Sequence, residues 1–441
     1  MKIKQTNILS YFGIQKQERI WDREKYSRYL EIWRNLYLGN LVNNFKLEFQ
    51  KKYKIEEIKE FYPNKNKFDI EKAISITREL RWRKYPYDKQ HWGHWLHSLS
   101  PYQGRLTPSF AHWLIRAFSS PDMVIFDPFC GSGTVPLEAD FLNRKGIGND
   151  LNPYAYLIAK GKFDRRPLEE HLNYLKEISE DVVFNNEPID DIPDWIKAYF
   201  HEKTLKEIIF LNKKLEKEKQ YFLRACLMGI LHGNRPGYLS VYTGCIIPMK
   251  PRPKSHPKFR PDKDVPEYRP VIPRMAAKVM RMYSNKIKLE TKGEILNEDA
   301  RNLKSLKNDS IDVIISSPPY YDTLDYTNQN RVRLFFLGLN KKDQKVLKEK
   351  LIQDTQTYLN EMKKVGRELK RVLIPGGYIV YILGDVIKTN YTINTAQKIG
   401  EVYSDIGFEI LDIINDEIPL NKVASRSRKK KFDRIIIMKN I

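Results

Sequence analysis

Residues 123–134 read Met-Val-Ile-Phe-Asp-Pro-Phe-Cys-Gly-Ser-Gly-Thr, and this stretch decides the fold. Its first four residues are apolar, which predicts a short buried strand. Gly131 and Gly133 have no Cβ atom, so the turn after the strand lets the backbone approach a ligand closely. A helical pattern begins at Val135, and the first N–H groups of that helix can donate hydrogen bonds to the same ligand. The stretch therefore predicts a strand, a glycine loop and a helix arranged around a ligand.

Two carboxylates accompany the glycine loop. Asp127 ends the first predicted strand, and Asp150 ends the next one, Gly146–Asp150, about 20 residues further on. An acid at the second position is placed to accept hydrogen bonds from two ribose hydroxyls. A nicotinamide cofactor satisfies the same geometry, so these features do not decide between cofactors. An ordinary glycine turn is the alternative.

A second motif, Ser317-Pro318-Pro319-Tyr320, follows a predicted buried strand, Asp312–Ile315. Consecutive prolines immobilise the backbone and donate no N–H, so the Ser317 and Pro318 carbonyls are expected to be free acceptors. Acceptors aimed at the two hydrogens of an exocyclic amine orient its nitrogen. Tyr320 offers a flat face on which an extruded base can stack. A proline loop with a packing tyrosine is the alternative.

The remaining pattern predicts an α/β fold, with a seven-stranded, mostly parallel sheet, a terminal antiparallel hairpin and a helical insert. A helix from Gln356 to Val372 is expected to end at Pro375-Gly376-Gly377. The glycine loop follows strand one and the Ser317 motif follows strand four, so the two are expected to meet where the strand order reverses. The other candidate strands are Glu294–Asn297, Tyr378–Leu383, Glu409–Ile414 and Arg434–Met438, the last two forming the hairpin.

The chain divides into three predicted regions. Residues 1–95 form a basic, mostly helical N-terminal region, residues 96–164 and 290–441 form the α/β core, and residues 165–289 form the insert. Within the insert, Lys250–Arg274 holds seven prolines and eight Lys or Arg against three acids, which predicts an extended basic loop without regular helix. The insert is the first candidate for target recognition, and the N-terminal region is the second.

Charge points to a polyanionic partner. Lys and Arg total 77 against 55 Asp and Glu, a formal net charge of +22. An excess of this size favours nucleic acid or a membrane surface, and a merely solvated basic surface is the alternative. Two basic segments supply the expected phosphate contacts, which are Lys250, Arg252, Lys254, Lys258, Arg260, Arg426, Arg428, Lys429 and Lys430.

The expected location is the cytoplasm, in association with the nucleoid. No stretch is long and apolar enough to span a bilayer, and the N-terminus lacks the pattern of a signal peptide. Cys130, Cys226 and Cys245 show neither disulfide nor zinc spacing. His91, His94 and His97 could bind a metal, but such residues are more often packed or exposed, and no metal is expected.

The chain resembles the DNA amino-methyltransferases, the N4-cytosine and N6-adenine family. Asp127–Thr134 is similar to the family's cofactor motif, and Ser317–Tyr320 is similar to its catalytic motif. Leu99–Pro108 and Glu298-Asp299-Ala300 resemble weaker elements on the methionine and adenine sides of the cofactor. The resemblance implies a Rossmann-like methyltransferase fold and S-adenosyl-L-methionine (AdoMet) as cofactor. It implies cofactor contacts from Asp127, Phe129, Gly131, Ser132, Gly133, Thr134, Asp150, Asp299, Gly104 and Arg105, with Asp127 facing the methionine amino group.

The resemblance also implies a reaction on double-stranded DNA, catalysed by Ser317, Pro318, Pro319 and Tyr320. Methyl transfer to a base amine needs in-line alignment and no covalent cysteine intermediate. Ser317 implies N4 of cytosine, since the adenine branch usually carries Asp or Asn at that position. N6 of adenine, an RNA base amine, and a DNA-binding protein that keeps the fold without catalysis are the alternatives. A restriction-modification system, with a cognate endonuclease as partner, is the implied context.

The N-terminus carries a candidate docking peptide, Gln5-Thr6-Asn7-Ile8-Leu9-Ser10-Tyr11-Phe12. It resembles the sliding-clamp interaction peptide, in which a glutamine is followed by an aliphatic residue and then by two aromatics. In one tight turn Ile8, Tyr11 and Phe12 fall on the same side and fill an apolar pocket, while Gln5 anchors the turn. The alternative is the start of a helix or strand that packs on the core.

Overall fold

The computed structural model describes residues 60–89, 92–233, 238–241, 251–252, 254–284, 287, 289–319, 325–354, 356–387, 392–418 and 431–441. These residues form two compact units. The first holds the described residues of 57–97, 101–163 and 290–441, and the second holds those of 98–100 and 164–289.

The first unit is built on a β-sheet. The strands are β1 Val124–Asp127, β2 Lys145–Asn149, β3 Glu294–Leu296, β4 Ile311–Ser316, β5 Leu373–Gly384, β6 Val386–Ile387, β7 Thr392–Ile393, β8 Phe408–Ile418 and β9 Lys431–Asn440. Seven of them form one sheet in the order β3-β2-β1-β4-β5-β9-β8, and β6 pairs with β7 separately. Strands β1 to β5 run parallel, whereas β9 is antiparallel to both neighbours. The predicted α/β fold with its terminal antiparallel hairpin is confirmed.

Helices surround the strands along the chain. They are α1 Ile70–Arg78, α2 Pro108–Phe118, α3 Thr134–Phe141, α4 Pro153–Phe163, α5 Leu168–Glu177, α6 Ser179–Phe184, α7 Asp194–Lys197, α8 Glu202–Lys217, α9 Tyr221–Leu231, α10 Pro261–Asp264, α11 Val271–Met282, α12 Tyr326–Gln329, α13 Arg331–Phe336, α14 Lys341–Lys350, α15 Tyr358–Val372 and α16 Thr395–Ser404. Short 3-10 helices cover Lys65–Lys67, Arg81–Arg83 and Trp95–Ser98. Among the described residues, no helix combines the length and apolarity that a membrane span requires.

The sheet is buried on both faces. Successive residues of a strand point to opposite faces, and each face packs in its own hydrophobic core. Phe126 and Ile314 pack in one core together with α15 and α16. Their neighbours Ile125 and Val313 pack in a second core together with α2. Parallel strands that are covered on both faces place their carboxyl ends at one open edge, where the two motifs lie.

One predicted boundary is wrong. Helix α15 ends at Val372, as predicted, but β5 begins at Leu373 and not at the predicted Tyr378, so Pro375-Gly376-Gly377 lie within the strand. Pairing with β4 jumps from Ile311 opposite Leu373 to Val313 opposite Tyr378, so β5 bulges there. Gly376 has φ +74°, a conformation that a glycine adopts without strain. Proline and glycine mark a bulge as readily as a helix stop, which explains the error.

Residues 60–89, which belong to the predicted N-terminal region, pack on the first unit. The Trp82 ring stacks on Phe110 with centroids 4.2 Å apart. The buried carboxylate of Asp416 accepts hydrogen bonds from Trp82 Nε1 at 2.7 Å and from Arg83 Nε at 2.8 Å. These contacts tie the segment to the terminal hairpin.

The second unit is helical, as expected of the insert, but its basic loop is shorter than predicted. Helix α10 interrupts Lys250–Arg274, and α11 already begins at Val271. Pro273 lies in the first turn of α11, where the backbone N–H has no partner within the helix, so proline is tolerated. Proline density therefore excludes helix interiors but not helix starts.

Candidate active site

A cavity of about 650 Å³ opens at the carboxyl ends of the parallel strands. The lining residues come from the segment before α2, from the end of β2, from the loops after β1, β2, β3 and β4, from α12, and from the segment before α15. They are Tyr102, Gly104, Pro128, Phe129, Gly131, Asn149, Asp150, Leu151, Asn152, Asp299, Ala300, Ser317, Pro319, Tyr326, Lys350, Leu351, Ile352 and Gln353.

The glycine loop accepts no side chain at its two glycines. Gly131 has φ +51°, and a Cβ there would lie 3.2 Å from Cε1 of Tyr102. Gly133 has φ +72°, and its Cβ would lie 2.8 Å from Cβ of Ala159. Both conformations are rarely adopted by residues with a side chain. The loop therefore presents bare backbone to the cavity at Gly131.

Asp150 lines the cavity at the end of β2, where the sequence predicts it. Its Oδ2 accepts a hydrogen bond from the Gly131 N–H at 2.9 Å, and its Oδ1 accepts one from the Asn152 N–H at 2.8 Å. Burial raises the pKa of Asp150 to about 6, although these two hydrogen bonds act in the opposite direction. A carboxylate oxygen has further lone pairs, so each can accept a second donor from a ligand.

Asp127 is buried and does not line the cavity. Its Oδ1 accepts hydrogen bonds from Ser316 Oγ at 2.6 Å and from the Phe129 N–H at 3.1 Å. Burial raises its pKa to about 7, opposed by these two hydrogen bonds. Asp127 contacts the cavity only indirectly. Its donor Phe129 lines the wall, and so does Ser317, which follows its other donor, Ser316.

Asp299 lines the cavity after β3 and is held by Arg301. The guanidinium donates to both carboxylate oxygens, and it also binds Glu361 and the carbonyl of Lys350. Although burial acts to raise it, the pKa of Asp299 is lowered by the hydrogen bonds and charge of Arg301. Lys350 is itself part of the wall, so Arg301 supports two lining segments.

Four further predicted cofactor residues, Ser132, Gly133, Thr134 and Arg105, lie outside the cavity wall, whereas Gly104 is part of it. Ser132 and Thr134 are buried at the start of α3. The Ser132 carbonyl accepts a hydrogen bond from the buried Lys162 ammonium group, and Arg105 donates to the His97 carbonyl. Lys162 therefore holds the glycine loop through the Ser132 carbonyl.

The catalytic motif enters the cavity directly after β4. Ser317 and Pro319 line the wall, Pro318 is buried, and Tyr320 lies outside the described residues. The Pro319 carbonyl accepts a hydrogen bond from Tyr358 Oη at 2.9 Å. The structure thus brings Ser317 and Pro319 to the same space as Gly131 and Asp150.

Three wall residues, Tyr326, Asn152 and Gln353, carry no signal in the sequence. Tyr102 and Tyr326 stack with centroids 6.0 Å apart and planes inclined by 18°. Asn152 Nδ2 and Gln353 Nε2 are buried donors without a hydrogen-bond partner in the part of the chain that the structure describes. Unpaired buried donors are rare, and on a cavity wall they indicate places where a ligand supplies acceptors.

His97 and His112 are structural residues that contact a single buried carboxylate. His97 Nε2 and His112 Nδ1 lie 2.6 and 3.1 Å from the two carboxylate oxygens of the buried Glu138. In the described part of the chain, no group of three or more potential ligands could hold a metal. Cys130 and Cys226 are buried free thiols.

Part of the predicted phosphate-binding set is exposed on the second unit, namely Arg252, Lys254, Lys258 and Arg260. The Asp264 carboxylate shapes this loop by accepting from the backbone N–H groups of Arg252 and Arg260. The other predicted contacts lie outside the described residues, and so does the docking peptide; they are Lys250, Arg426, Arg428, Lys429, Lys430, Gln5, Ile8, Tyr11 and Phe12.

Residues 8–161 match the family model N6_N4_Mtase, described as DNA methylase. The match includes the glycine loop and Asp150 and ends before Ser317. The type II methyltransferase M.MjaII of Methanocaldococcus jannaschii is 27% identical over 198 residues, which cover 41% of this chain and 36% of that protein. The type II methyltransferase M.BsoBI of Geobacillus stearothermophilus is 23% identical over 340 residues, covering 69% of this chain and 66% of that protein.

Solved structures also align with the chain. TTHA0409 of Thermus thermophilus, in complex with S-adenosyl-L-methionine, is 24% identical, with 32% of this chain and 53% of that chain covered and a TM-score of 0.23. The aligned part of this chain spans about a third of the length of M.MjaII and about two thirds of that of M.BsoBI.

Proposed function

This chain belongs to the DNA amino-methyltransferase family, and on that premise we propose that it transfers the methyl group of AdoMet to the exocyclic N4 amine of cytosine in double-stranded DNA. One observation carries the proposal. Gly131 and Asp150, from the loops after β1 and β2, line the same cavity as Ser317, from the loop after β4. A cofactor held by the first two residues lies against a base amine held by the third.

The wall fits AdoMet by its chemistry. Bare backbone at Gly131 leaves room that a Cβ would fill, and Asp150 offers a carboxylate to the ribose hydroxyls. The unpaired donors of Asn152 and Gln353 suit the ring nitrogens and oxygens of an adenosine. When bound, AdoMet supplies a methyl group that its sulfonium already activates.

The chain's own task is to hold and orient the amine. The Ser317 hydroxyl and the backbone carbonyls of the motif accept the amine hydrogens, which aims the nitrogen lone pair at the methyl carbon. The two prolines keep these acceptors rigid. Cys130 takes no part as a nucleophile, because burial raises the pKa of its thiol and keeps it protonated.

The choice of cytosine rests on the residue at position 317. A serine provides a hydroxyl where the adenine branch usually provides a carboxylate or an amide. N6-adenine methylation uses the same cavity and the same cofactor, so it is the second candidate. Methylation of an RNA base amine is the third.

The test is mass spectrometry of nucleosides after incubation of the protein with DNA and isotope-labelled AdoMet. Labelled N4-methylcytosine is the expected product, and S317A should lose it while still binding AdoMet. Labelled N6-methyladenine would keep the mechanism and overturn the base assignment. Label that enters only RNA, or no nucleic acid, would overturn the DNA methyltransferase proposal.

DNA would be held by the basic loop of the second unit, and this unit would read the target sequence. Arg252, Lys254, Lys258 and Arg260 are exposed there and match a phosphate backbone in charge. M.MjaII and M.BsoBI are type II methyltransferases, which supports a restriction-modification role with a cognate endonuclease. Such a role would place the protein at the nucleoid.

The N-terminal peptide would dock on a sliding clamp through Gln5, Ile8, Tyr11 and Phe12. The test is binding of the full chain to the sliding clamp of its own host, measured by calorimetry. Replacing Tyr11 and Phe12 together by Ala should abolish clamp binding and leave methylation of naked DNA unchanged. If the unaltered chain does not bind that clamp, the docking proposal is wrong.

A further inference from the structure

We infer that Tyr358 is a positioning residue for methyl transfer, which acts by holding the catalytic motif through the carbonyl of Pro319. The inference rests on the proposed function, since it concerns the same cavity. It adds a residue that no local pattern marks, 38 positions after the tyrosine of the motif. Tyr358 itself does not line the cavity, so it acts through the motif and not on the substrate.

The hydrogen bond compensates for a weakness of the motif. Pro318 and Pro319 have no backbone N–H, so neither residue can anchor itself by donating to a neighbouring segment. Tyr358 Oη supplies the donor instead, 2.9 Å from the Pro319 carbonyl oxygen. The tyrosine is fully buried, so its hydroxyl is shielded from bulk water, although the Pro319 acceptor lies on the cavity wall.

Tyr358 is firmly held as the first residue of α15. Its backbone N–H donates to the Asp354 carbonyl at 2.9 Å. The Asp354 carboxylate accepts from the N–H groups of Gln356 and Thr357 at 2.9 and 3.1 Å. The ring packs in the core that α15 forms with the sheet. The phenol oxygen therefore has little freedom and transmits that rigidity to the motif.

The same helical turn also supports the other end of the cavity. Glu361, three residues after Tyr358, binds Arg301, and Arg301 holds the carboxylate of Asp299. Tyr358 donates to the catalytic motif, whereas Glu361 binds Arg301, the residue that holds Asp299. Substitutions of the two residues should therefore affect different steps. Loss of the Tyr358 hydroxyl should slow transfer, whereas loss of the Glu361 charge should weaken cofactor binding.

The experiment compares Y358F with Y403F. Tyr403 is a matched control because it is fully buried in the same core and its hydroxyl contacts another core hydroxyl, Tyr381 Oη, at 3.3 Å. We expect Y358F to lower the single-turnover rate at saturating AdoMet at least about tenfold, since a misplaced reacting group costs up to about a hundredfold. Its Kd for AdoMet should match that of Y403F, and so should its melting temperature.

A second pair of variants keeps the test decisive. E361Q should raise the Kd for AdoMet without lowering the saturated rate. If Y358F does not fold, 3-fluorotyrosine placed at position 358 retains the hydroxyl and should retain the rate. A rate of Y358F within about twofold of Y403F would overturn the inference. Absence of methyl transfer to DNA by the unaltered chain would instead overturn the proposed function.

Discussion

The Oγ of Ser316 donates a hydrogen bond of 2.6 Å to Oδ1 of Asp127, and both residues are buried. Ser316 ends β4 and precedes the catalytic motif, whereas Asp127 ends β1 and precedes the glycine loop. The contact joins the two strand ends whose loops build the cavity. In the proposed reaction, the relative position of cofactor and amine would therefore be set by this contact inside the sheet.

Removal of that hydrogen bond should destabilise the protein. The buried Asp127 carboxylate has two hydrogen-bond donors, and S316A leaves it only one, the Phe129 N–H. The free energy of unfolding should therefore fall by about 1–3 kcal/mol. The pKa of Asp127 should rise further, because the Ser316 bond lowers it. Urea unfolding measures the loss. S310A is the control, as its hydroxyl donates to a local carbonyl, that of Lys307. Equal unfolding curves for the two variants would contradict the prediction.

AdoMet binding should strengthen as the pH rises. Burial raises the pKa of Asp150 to about 6 and that of Asp127 to about 7 in the free protein. A cationic ligand favours the ionised carboxylates, so the affinity should rise about tenfold between about pH 5 and about pH 7 from Asp150 alone. Calorimetry in buffers of different ionisation enthalpy measures both the affinity and the released protons. D150N should bind more weakly and with a smaller pH slope.

The stability of the ligand-free protein should follow the opposite trend. A folded-state pKa above the unfolded value means that the folded chain binds more protons in the interval between them. The contribution of Asp127 and Asp150 is therefore largest below the unfolded pKa of about 4 and is lost as the pH rises toward their folded values of about 6 to 7. Urea titrations across that interval, with and without AdoMet, would reveal the crossing trends. Parallel trends would contradict the assignment of these two acids.

The unpaired amide of Gln353 should contribute to cofactor affinity. Q353L keeps a side chain of similar size and removes the buried donor that has no partner among the described residues of the free protein. The Kd for AdoMet should rise about three- to tenfold, which corresponds to one hydrogen bond of about 0.5–1.5 kcal/mol. The free energy of unfolding without ligand should stay equal or increase. Q397L, on the exposed side of α16, should change neither quantity.

The segment around Trp82 should stabilise the hairpin through charge. R83M leaves the buried carboxylate of Asp416 without its cation, at a cost of about 3 kcal/mol. R81M is the matched control in the same 3-10 helix, since Arg81 is exposed and its distance to Glu79 is 3.7 Å. Thermal unfolding of the two variants side by side checks the difference. Similar melting temperatures would show that Asp416 does not need Arg83.

The basic loop should account for part of the salt dependence of DNA binding. Replacing Lys254 and Lys258 by Ala should reduce the slope of log Kd against log salt by about one for each phosphate that the loop no longer neutralises. The effect should be uniform across DNA sequences, because phosphate contacts carry no base information. K217A, an exposed lysine on α8 of the same unit, is the control. An unchanged slope would show that this loop does not hold DNA.

The sequence predicts the parts of the site that depend on local pattern. Gly131, Asp150 and Ser317 each follow a predicted strand, and a parallel sheet must bring such strand ends to one edge. The sequence also predicts that the loops after strands one and four meet where the strand order reverses, and that the last two strands form an antiparallel pair. These residues could be named without coordinates because their chemistry and their position lie within a few residues of each other.

The remaining wall could not be predicted, because its chemistry arises only from tertiary placement. Gln353 and Tyr326 lie in segments without a motif, and they join the cavity because α12 and the residues before α15 return to it. Arg301 gains its role from Asp299, two residues away, and from Lys350 and Glu361, which are 49 and 60 residues away. The bulge at Pro375-Gly376-Gly377 escapes prediction for another reason: the same residue types also end helices.

Strand β8 is the outermost strand of the sheet, and more than half of its residues are Ile, Leu or Phe. A bare edge of that composition is a template for intermolecular strand pairing. Arg78 donates to the Asp412 carboxylate at 2.6 Å and Trp82 to the Asp416 carboxylate at 2.7 Å, so residues 60–89 lie against side chains of this strand. A chain trimmed of that segment should therefore do more than lose stability: it should assemble into β-rich aggregates at concentrations at which the full chain stays dispersed.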